Sequence, residues 1–292
     1  MEWLKNFNSA VDYIEKNLDK EISYDEAART ACCSSYYFQR MFSYIAGISL
    51  SEYIRRRRMT QAAFELQQSE KKVLDIALKY GYTSPTSFNR AFHGVHGITP
   101  TAAKSTGITL NSYPALSLCF QVTGGEAMAY RMEERRAFRI VGIRIPLKED
   151  MEENQRIVPL FWKSVCEEKR FGHICSLSDR TPGEVMGITV YKNPASIFYY
   201  IGVETEKEVP AGMDEYEIPA ALWAVFENEG PLKESVQNVF RRFCREWLPF
   251  SGYRYAGLPD LEIYPICGRD MSGGHSEVWI AVRSEKADEK AE

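Results

Sequence analysis

Two dipeptides fifty positions apart, Gln39-Arg40 and Asn89-Arg90, carry the side chains best suited to reading DNA bases. An Arg guanidinium forks onto the major-groove edge of guanine, and a Gln or Asn amide pairs with adenine. The dipeptides belong to a longer self-similarity. A fifty-residue shift lays Asp25 to Phe42 over Asp75 to Phe92, with identities at Asp25/Asp75, Ala27/Ala77, Ser34/Ser84, Phe38/Phe88, Arg40/Arg90 and Phe42/Phe92, then at Gly47/Gly97 and Ile48/Ile98. One supersecondary unit is used twice. Far downstream, Glu262 alternates with Leu261 and Ile263 in a strand-like run and so shares a face with Tyr264. If that face lines a cleft, a carboxylate among aromatic rings suits an organic cation, through ion pairing and cation–π contact. If it does not, Glu262 is a solvated sheet residue.

The elements that must position the first set read as helix-turn-helix. A short helix (about 23–31, and again 73–80) ends near a small residue, Ala31 or Gly81, which relieves crowding at a sharp turn. Ser34 and Ser84 follow as N-caps of the next helix. There Phe38, Met41, Phe42 and Ile45, and again Phe88, Ala91, Phe92 and Val95, recur at helical spacing as a buried stripe. The outer face left over is Ser35, Tyr36, Gln39 and Arg40 in the first unit and Pro85, Thr86, Asn89 and Arg90 in the second. Such a face suits the major groove. Solvated surface pairs are the alternative, and recurrence at the same place in both copies weighs against it. A continuous helix over about 49–69 would hold the units about one DNA turn apart, roughly 34 Å. A single chain would then read two successive groove faces without dimerising. That helix carries Arg55-Arg56-Arg57-Arg58. Four consecutive residues cannot share one face, so one or two phosphate contacts are expected, from Arg55 and Arg58.

These twin units resemble the AraC/XylS class of bacterial regulators. The resemblance rests on Ile76-Ala77, Gly81-Tyr82, Ser84, Phe88-Asn-Arg90-Ala-Phe92 and Gly97-Ile-Thr-Pro100, and on Phe38-Gln-Arg40-Met-Phe42, Gly47 and Tyr53-Ile-Arg. It spans about 5–107. It implies double-stranded DNA as partner, with Tyr36, Gln39, Arg40, Thr86 and Arg90 as base-contacting candidates. Cys32-Cys33 departs from the family's small-then-polar pattern, and Tyr36 replaces a Trp of close relatives, so the target sequence does not carry over.

After Lys104 the texture changes. Gly107, Pro114 and Thr123-Gly-Gly125 read as a loose crossing. Strand-like runs follow at 139–145, 185–191, 197–203, 221–226, 261–264 and 277–282, with helical stretches at about 151–169 and 231–247. Strand, helix and strand pair, repeated, indicate an α+β domain built as a pseudo-duplicated strand-helix-strand-strand unit. Two such halves leave a cleft where they meet. The aromatic candidates for it are Phe161, Trp162, Tyr199, Tyr200, Trp223, Trp247, Tyr264 and Trp279, with core packing as the competing role for at least half. This region, about 128–285, is similar to the GyrI-like effector-binding domain of multidrug regulators. The residues carrying the similarity are Pro159-Leu-Phe-Trp162, Leu222-Trp223-Ala-Val-Phe226, Pro259-Asp-Leu-Glu262-Ile-Tyr264 and Val278-Trp-Ile-Ala-Val282. The similarity implies that Glu262 is the acid that meets cationic ligands. Ala281 stands where a Pro is usual.

Composition sets the frame. The 292 residues carry a net charge of −4, split as +3 over 1–107 and −7 over 108–292, so only the front half has the balance for a polyanion. No secretory signal and no membrane-length apolar run is visible. Seven cysteines without a Cys-x-x-Cys pair fit a reducing cytoplasm better than a disulfide framework or zinc ribbon. His93-x-x-His96 has metal-like spacing but no acidic or Cys partner nearby, so a surface or phosphate-adjacent role is expected; no metal and no cofactor is called for.

The expected fold is thus an all-α N-terminal domain with two helix-turn-helix units joined by a long helix (1–107), a linker (108–127), an α+β effector domain (128–285) and a charged tail (286–292). The function expected is a cytoplasmic, non-enzymatic transcription regulator, monomeric on DNA, that answers to a lipophilic cationic effector and possesses an RNA polymerase contact as a further partner. The effector site would use Glu262, Tyr264, Phe161, Trp162, Tyr200, Trp223 and Trp279. Two alternatives stand beside it: a domain that hydrolyses an electrophilic small molecule with Glu262 as general base, or one that serves protein contacts only.

Overall fold

The computed structural model describes all residues except 1, 120–126, 150, 169, 181–182, 194, 231, 267–273 and 285–292. The chain divides into two units, Met1–Gln121 and Val122–Glu292. The last part of the expected linker, 120–126, and the charged tail, 286–292, lie outside the described residues.

The first unit is helical: α1 (Glu2–Lys16), α2 (Tyr24–Thr30), α3 (Ser35–Ala46), α4 (Leu50–Gln68), α5 (Val73–Lys79) and α6 (Pro85–His96). Capping explains where the repeated helices begin and end. Ser34 Oγ accepts from the Tyr37 N–H and Ser84 Oγ from the Ser87 N–H, satisfying donors the first turn leaves unpaired. Pro85 occupies the first helical position, where a missing N–H costs nothing. Both helices stop at a left-handed glycine, Gly47 and Gly97, each with φ 75°. The apolar stripes turn inward. Phe88, Phe92 and Val95 join Met59, Ala62, Ala63 and Leu66 of α4 and Ile76 and Ala77 of α5 in one core. Phe38 lies 5.2 Å from the Phe7 ring of α1, and Phe42 the same distance from Tyr53.

The first turn caps α2 at the small Ala31 as expected, and the residue after it, Cys32, is left-handed (φ 57°), whereas the second turn uses Gly81 (φ 83°). The reason is that α2 runs one residue further than α5 in repeat register. Each turn closes with the same pair of bonds, Cys32 N–H to Arg29 O and Cys33 N–H to Ala28 O, then Gly81 N–H to Leu78 O and Tyr82 N–H to Ala77 O.

Past a short 3-10 turn at Ala102–Lys104, residues 105–119 have no helix or strand, yet they are fastened along the helices. Asn111 donates from its backbone to His96 Nδ1 and from its amide to Val95 O; the Tyr113 N–H donates to Thr60 Oγ1, the Leu116 N–H to the Tyr53 hydroxyl and the Leu118 N–H to Asn8 Oδ1.

The second unit is an antiparallel sheet with helices. Its elements are β1 (Arg131–Arg135), β2 (Phe138–Pro146), α7 (Met151–Glu167), α8 (Arg170–Ser176), β3 (Glu184–Asn193), β4 (Ser196–Glu204), β5 (Asp214–Ile218), β6 (Ala221–Gly230), α9 (Leu232–Arg242), β7 (Tyr253–Tyr255), β8 (Asp260–Pro265) and β9 (Gly274–Ser284). Among the described residues the strand order is β1-β6-β9-β8-β3-β4-β2-β5, with β7 beside β9. The β3–β8 junction sits at the centre, with Gly187 opposite Glu262 and Ile188 opposite Leu261. Side chains alternate across the sheet. One face carries Leu261, Ile263, Met186, Ile188, Tyr200, Trp223 and Trp279 in a single buried cluster. The other carries Glu262, Tyr264 and Tyr199, and meets α7. The strands β1, β5 and β7 and the helix α8 went unanticipated because three to seven residues are too few for a period to register.

Candidate nucleic-acid interface and effector site

In α6 the expected reading residues stand ready. Pro85, Thr86, Asn89 and Arg90 are all exposed, on the face opposite buried Phe88 and Phe92. In α3 the expectation of an open outer face is corrected. Ser35, Tyr36, Gln39 and Arg40 are buried, Tyr36 to 2 % exposure and Arg40 to 6 %. Part of the cause lies on the helix itself, where bulky rings sit beside the polar groups. Tyr36 meets Tyr37 edge-on at 5.8 Å. The Gln39 amide donates to Ser35 Oγ and the Arg40 Nε to the Tyr44 hydroxyl, each at 3.4 Å, and the Arg40 guanidinium lies 5.7 Å from the Tyr44 ring. These polar side chains are turned along α3 instead of away from it.

The four arginines of α4 divide by function. Arg57 is buried, donates to both Glu15 carboxylate oxygens at 2.7–3.0 Å and also bonds Tyr113 O. Hydrogen bonding to Glu15 leads the causes that raise its pKa. Arg58 donates to Leu18 O at 2.8 Å and Lys20 O at 2.7 Å, so its expected phosphate role is corrected to a brace of the α1–α2 connection. Arg56 lies over the Tyr113 ring at 5.0 Å. Arg55 alone of the four is exposed, and it pairs with Glu52.

His96 is likewise internal, not phosphate-adjacent. It accepts from Asn111 at Nδ1, which leaves Nε2–H to donate to Met59 O at 3.1 Å, and burial pushes its pKa below the usual histidine value. Among the described residues no group of three or more His, Cys, Asp or Glu is placed to hold a metal ion, and no helix is long and apolar enough to cross a membrane.

On the sheet, Glu262 is half-buried at the centre of a hydrogen-bonded chain. The Tyr199 hydroxyl donates to Glu262 Oε2 at 2.9 Å and the Tyr264 hydroxyl to the same oxygen at 3.0 Å. Trp162 of α7 donates its indole N–H to the Tyr199 oxygen at 2.9 Å and stands edge-on to Tyr264 at 5.4 Å. Burial, then the negative Glu262, pushes the Tyr264 phenol well above its ordinary value, so it remains a donor at neutral pH. Gly187 makes the arrangement possible: a Cβ there would come within 2.1 Å of the Tyr199 hydroxyl and 3.0 Å of Glu262 Oε2. Phe161 is buried beside Trp162 on α7.

Three other expected lining residues are elsewhere. Tyr200, Trp223 and Trp279 lie on the opposite sheet face, with Leu261 and Ile263, because strand alternation separates both of those from Glu262. Tyr200 there accepts from Arg144 Nη1 at 3.1 Å. Trp247 packs against Phe226 and Phe243 at 5.6 and 5.5 Å. Gly187 was not singled out from the sequence; a glycine inside a β-branched run is the signal that a close approach is needed.

The helix-turn-helix domain family matches residues 27–106, and the family described as integron-associated effector binding protein matches 131–282, just over half of the chain. The Transposon Tn10 TetD protein of Escherichia coli is 44% identical over 89 residues, 30% of this chain and 64% of that protein. Regulatory protein SoxS of Escherichia coli (strain K12) is 34% identical over 101 residues, 35% of this chain and 94% of SoxS. The solved structure of SAV2435 bound to tetraphenylphosphonium is 17% identical with a TM-score of 0.49, over 55% of this chain and 97% of that one.

Proposed function

Because the chain belongs to the integron-associated effector-binding family and carries an AraC-type helix-turn-helix domain, we propose that it is a one-chain transcription regulator that binds DNA through residues 1–107 and a lipophilic cation through its sheet domain. The observation that carries the effector class is the Glu262 carboxylate, half-buried and bonded by two phenols under an indole. A carboxylate set among aromatic side chains favours a cation whose charge is spread over an apolar body. The working set is Glu262, Tyr264, Tyr199, Trp162 and Phe161. Calorimetry with tetraphenylphosphonium and with neutral triphenylphosphine oxide tests it. The cation binds and the neutral compound binds at least about ten-fold more weakly, a difference of about 1.4 kcal/mol. Glu262→Gln removes most of that preference. Equal affinity of wild type and Glu262→Gln for the cation would sink the reading.

On the DNA side, the duplication and the continuous α4 support one chain spanning two successive major grooves. Nineteen residues of helix extend about 28 Å, near the DNA repeat. Thr86, Asn89 and Arg90 are the reading set, on the exposed face of the second unit, with Arg55 on a phosphate. At a site obtained by binding selection, Arg90→Ala loses about 1–3 kcal/mol and relaxes preference at one position. Arg55→Ala weakens all sequences alike and lowers the salt slope by about one. Wild-type affinity and preference in Arg90→Ala would remove the groove assignment.

The strand order supports a duplicated origin for the sheet. Read outward from the central β3–β8 pair it runs β3, β4, β2, β5 on one side and β8, β9, β6, β1 on the other. In each arm the third strand leads into a helix and then into the first two, as the β2-α7-β3-β4 and β6-α9-β8-β9 connections do.

A further inference from the structure

The sheet face opposite Glu262 holds two buried hydrogen-bond donors that nothing in the described structure satisfies: Arg135 Nη1 and Trp223 Nε1. Buried polar groups are almost always paired, so two orphans in one cluster call for an acceptor that binds there. They do share a cluster. Trp223 is fully buried and its ring lies 6.1 Å from Trp279. The Arg135 guanidinium lies 5.5 Å from Trp279 and 4.2 Å from the Phe138 ring. The register puts Trp223 opposite Glu133, and Arg135 follows Glu133 by two residues, on the same face. The Arg135 side chain is 13 % exposed.

The neighbouring carboxylates have partners of their own, Glu133 the weakest, with Arg131 Nε at 3.4 Å. Glu204 takes Arg135 Nη2 through both oxygens at 3.0 Å and Arg180 at 2.7 Å. Glu277 forms a two-pronged pair with Arg131 at 2.9 and 2.8 Å and accepts the Trp279 indole at 2.7 Å. What remains unmatched is one cationic and one neutral N–H, both among aromatic rings. Arg135 ends β1, the edge strand of the sheet, and the turn that follows it, Arg136-Ala137, is exposed.

We propose that this cluster is a second ligand site, on the face away from Glu262, for a flat aromatic carboxylate. One carboxylate oxygen would accept from Arg135 Nη1 and the other from Trp223 Nε1, with the ring among Phe138, Trp223 and Trp279. The pairing of unlike donors distinguishes it from the Glu262 site, which rejects anions, and it stands whether or not a cation binds there.

The full chain titrated with 2-naphthoate, followed by calorimetry and by quenching of tryptophan emission, tests the proposal. One-to-one binding is expected, at least ten-fold tighter than that of 2-naphthalenemethanol, which keeps the ring and lacks the carboxylate. Arg135→Lys keeps the charge and the Glu204 pairing but loses the fork, and Trp223→Phe removes the indole donor. Each weakens naphthoate at least ten-fold, with thermal unfolding checked to show that the fold survives. Should Trp223→Phe not fold, Arg135→Lys decides alone. Absence of saturable binding into the millimolar range, equal affinity for the alcohol, or wild-type affinity in the folded variants overturns the site.

Discussion

Cys32 holds a left-handed backbone conformation (φ 57°) that a side chain with a Cβ adopts at a cost of roughly 1–2 kcal/mol. Its counterpart in the second copy is Gly81, for which the same conformation is ordinary. The two closing hydrogen bonds are equivalent in the two turns, so the fold of the first unit bears this cost without a difference in bonding to offset it. Cys32→Gly is therefore expected to stabilise the helical unit by about 0.5–1 kcal/mol, the relief of strain being reduced by the larger backbone entropy glycine loses on folding. Urea unfolding followed by circular dichroism measures it. A midpoint at or below that of the parent would show that the Cys32 side chain contributes something a glycine lacks, such as the Asn6 amide contact to its sulfur at 3.5 Å.

At the scale of elements, what could be read in advance depended on whether a local period settled the answer. The capped helices α3 and α6 were legible because Ser34, Ser84, Gly47 and Gly97 mark both ends and the Phe pairs mark the buried face. The strands β2, β3, β4, β6, β8 and β9 were legible as strands, and β8 even gave the shared face of Glu262 and Tyr264. Which aromatic residues join that face was not legible. Tyr199 and Tyr200 are adjacent, so they point to opposite faces, and only the register of β4 on β3 decides which meets Glu262. The same parity, fixed across strands by Leu261 opposite Trp279 and Trp223 opposite Ala281, sends both tryptophans to the other face. The arginines of α4 show a different limit. Consecutive charges declare a helix surface, but whether each meets solvent, Glu15 or the Leu18 carbonyl depends on how α1 packs, which no spacing within α4 encodes.

At the scale of the whole molecule, the change of texture near residue 107 marks a change of secondary structure more than an end of folding. Residues 111–118 carry no periodicity, so they read as linker, yet their backbone supplies further hydrogen-bond partners to buried polar side chains. Tyr113 gives an acceptor to buried Arg57 and a donor to buried Thr60, and Asn111 donates to buried His96. Cutting the chain after residue 107 leaves those partners behind, and a buried polar group without its partner costs about 1–3 kcal/mol. A fragment ending at 107 is therefore expected to be less stable than one ending at 119 by about 3 kcal/mol or more, and to melt more than about 10 °C lower. The pH dependence gives a second signature. The depressed pKa of His96 means that folding favours the neutral ring, so this contribution is complete above the ordinary histidine value of about 6.5 and fades as pH falls below it. In the longer fragment melting should fall on acidification through that range, and His96→Gln should flatten the fall. Melting curves of both fragments by circular dichroism between pH 5 and 8 decide the matter, and coincident curves would return the boundary to residue 107.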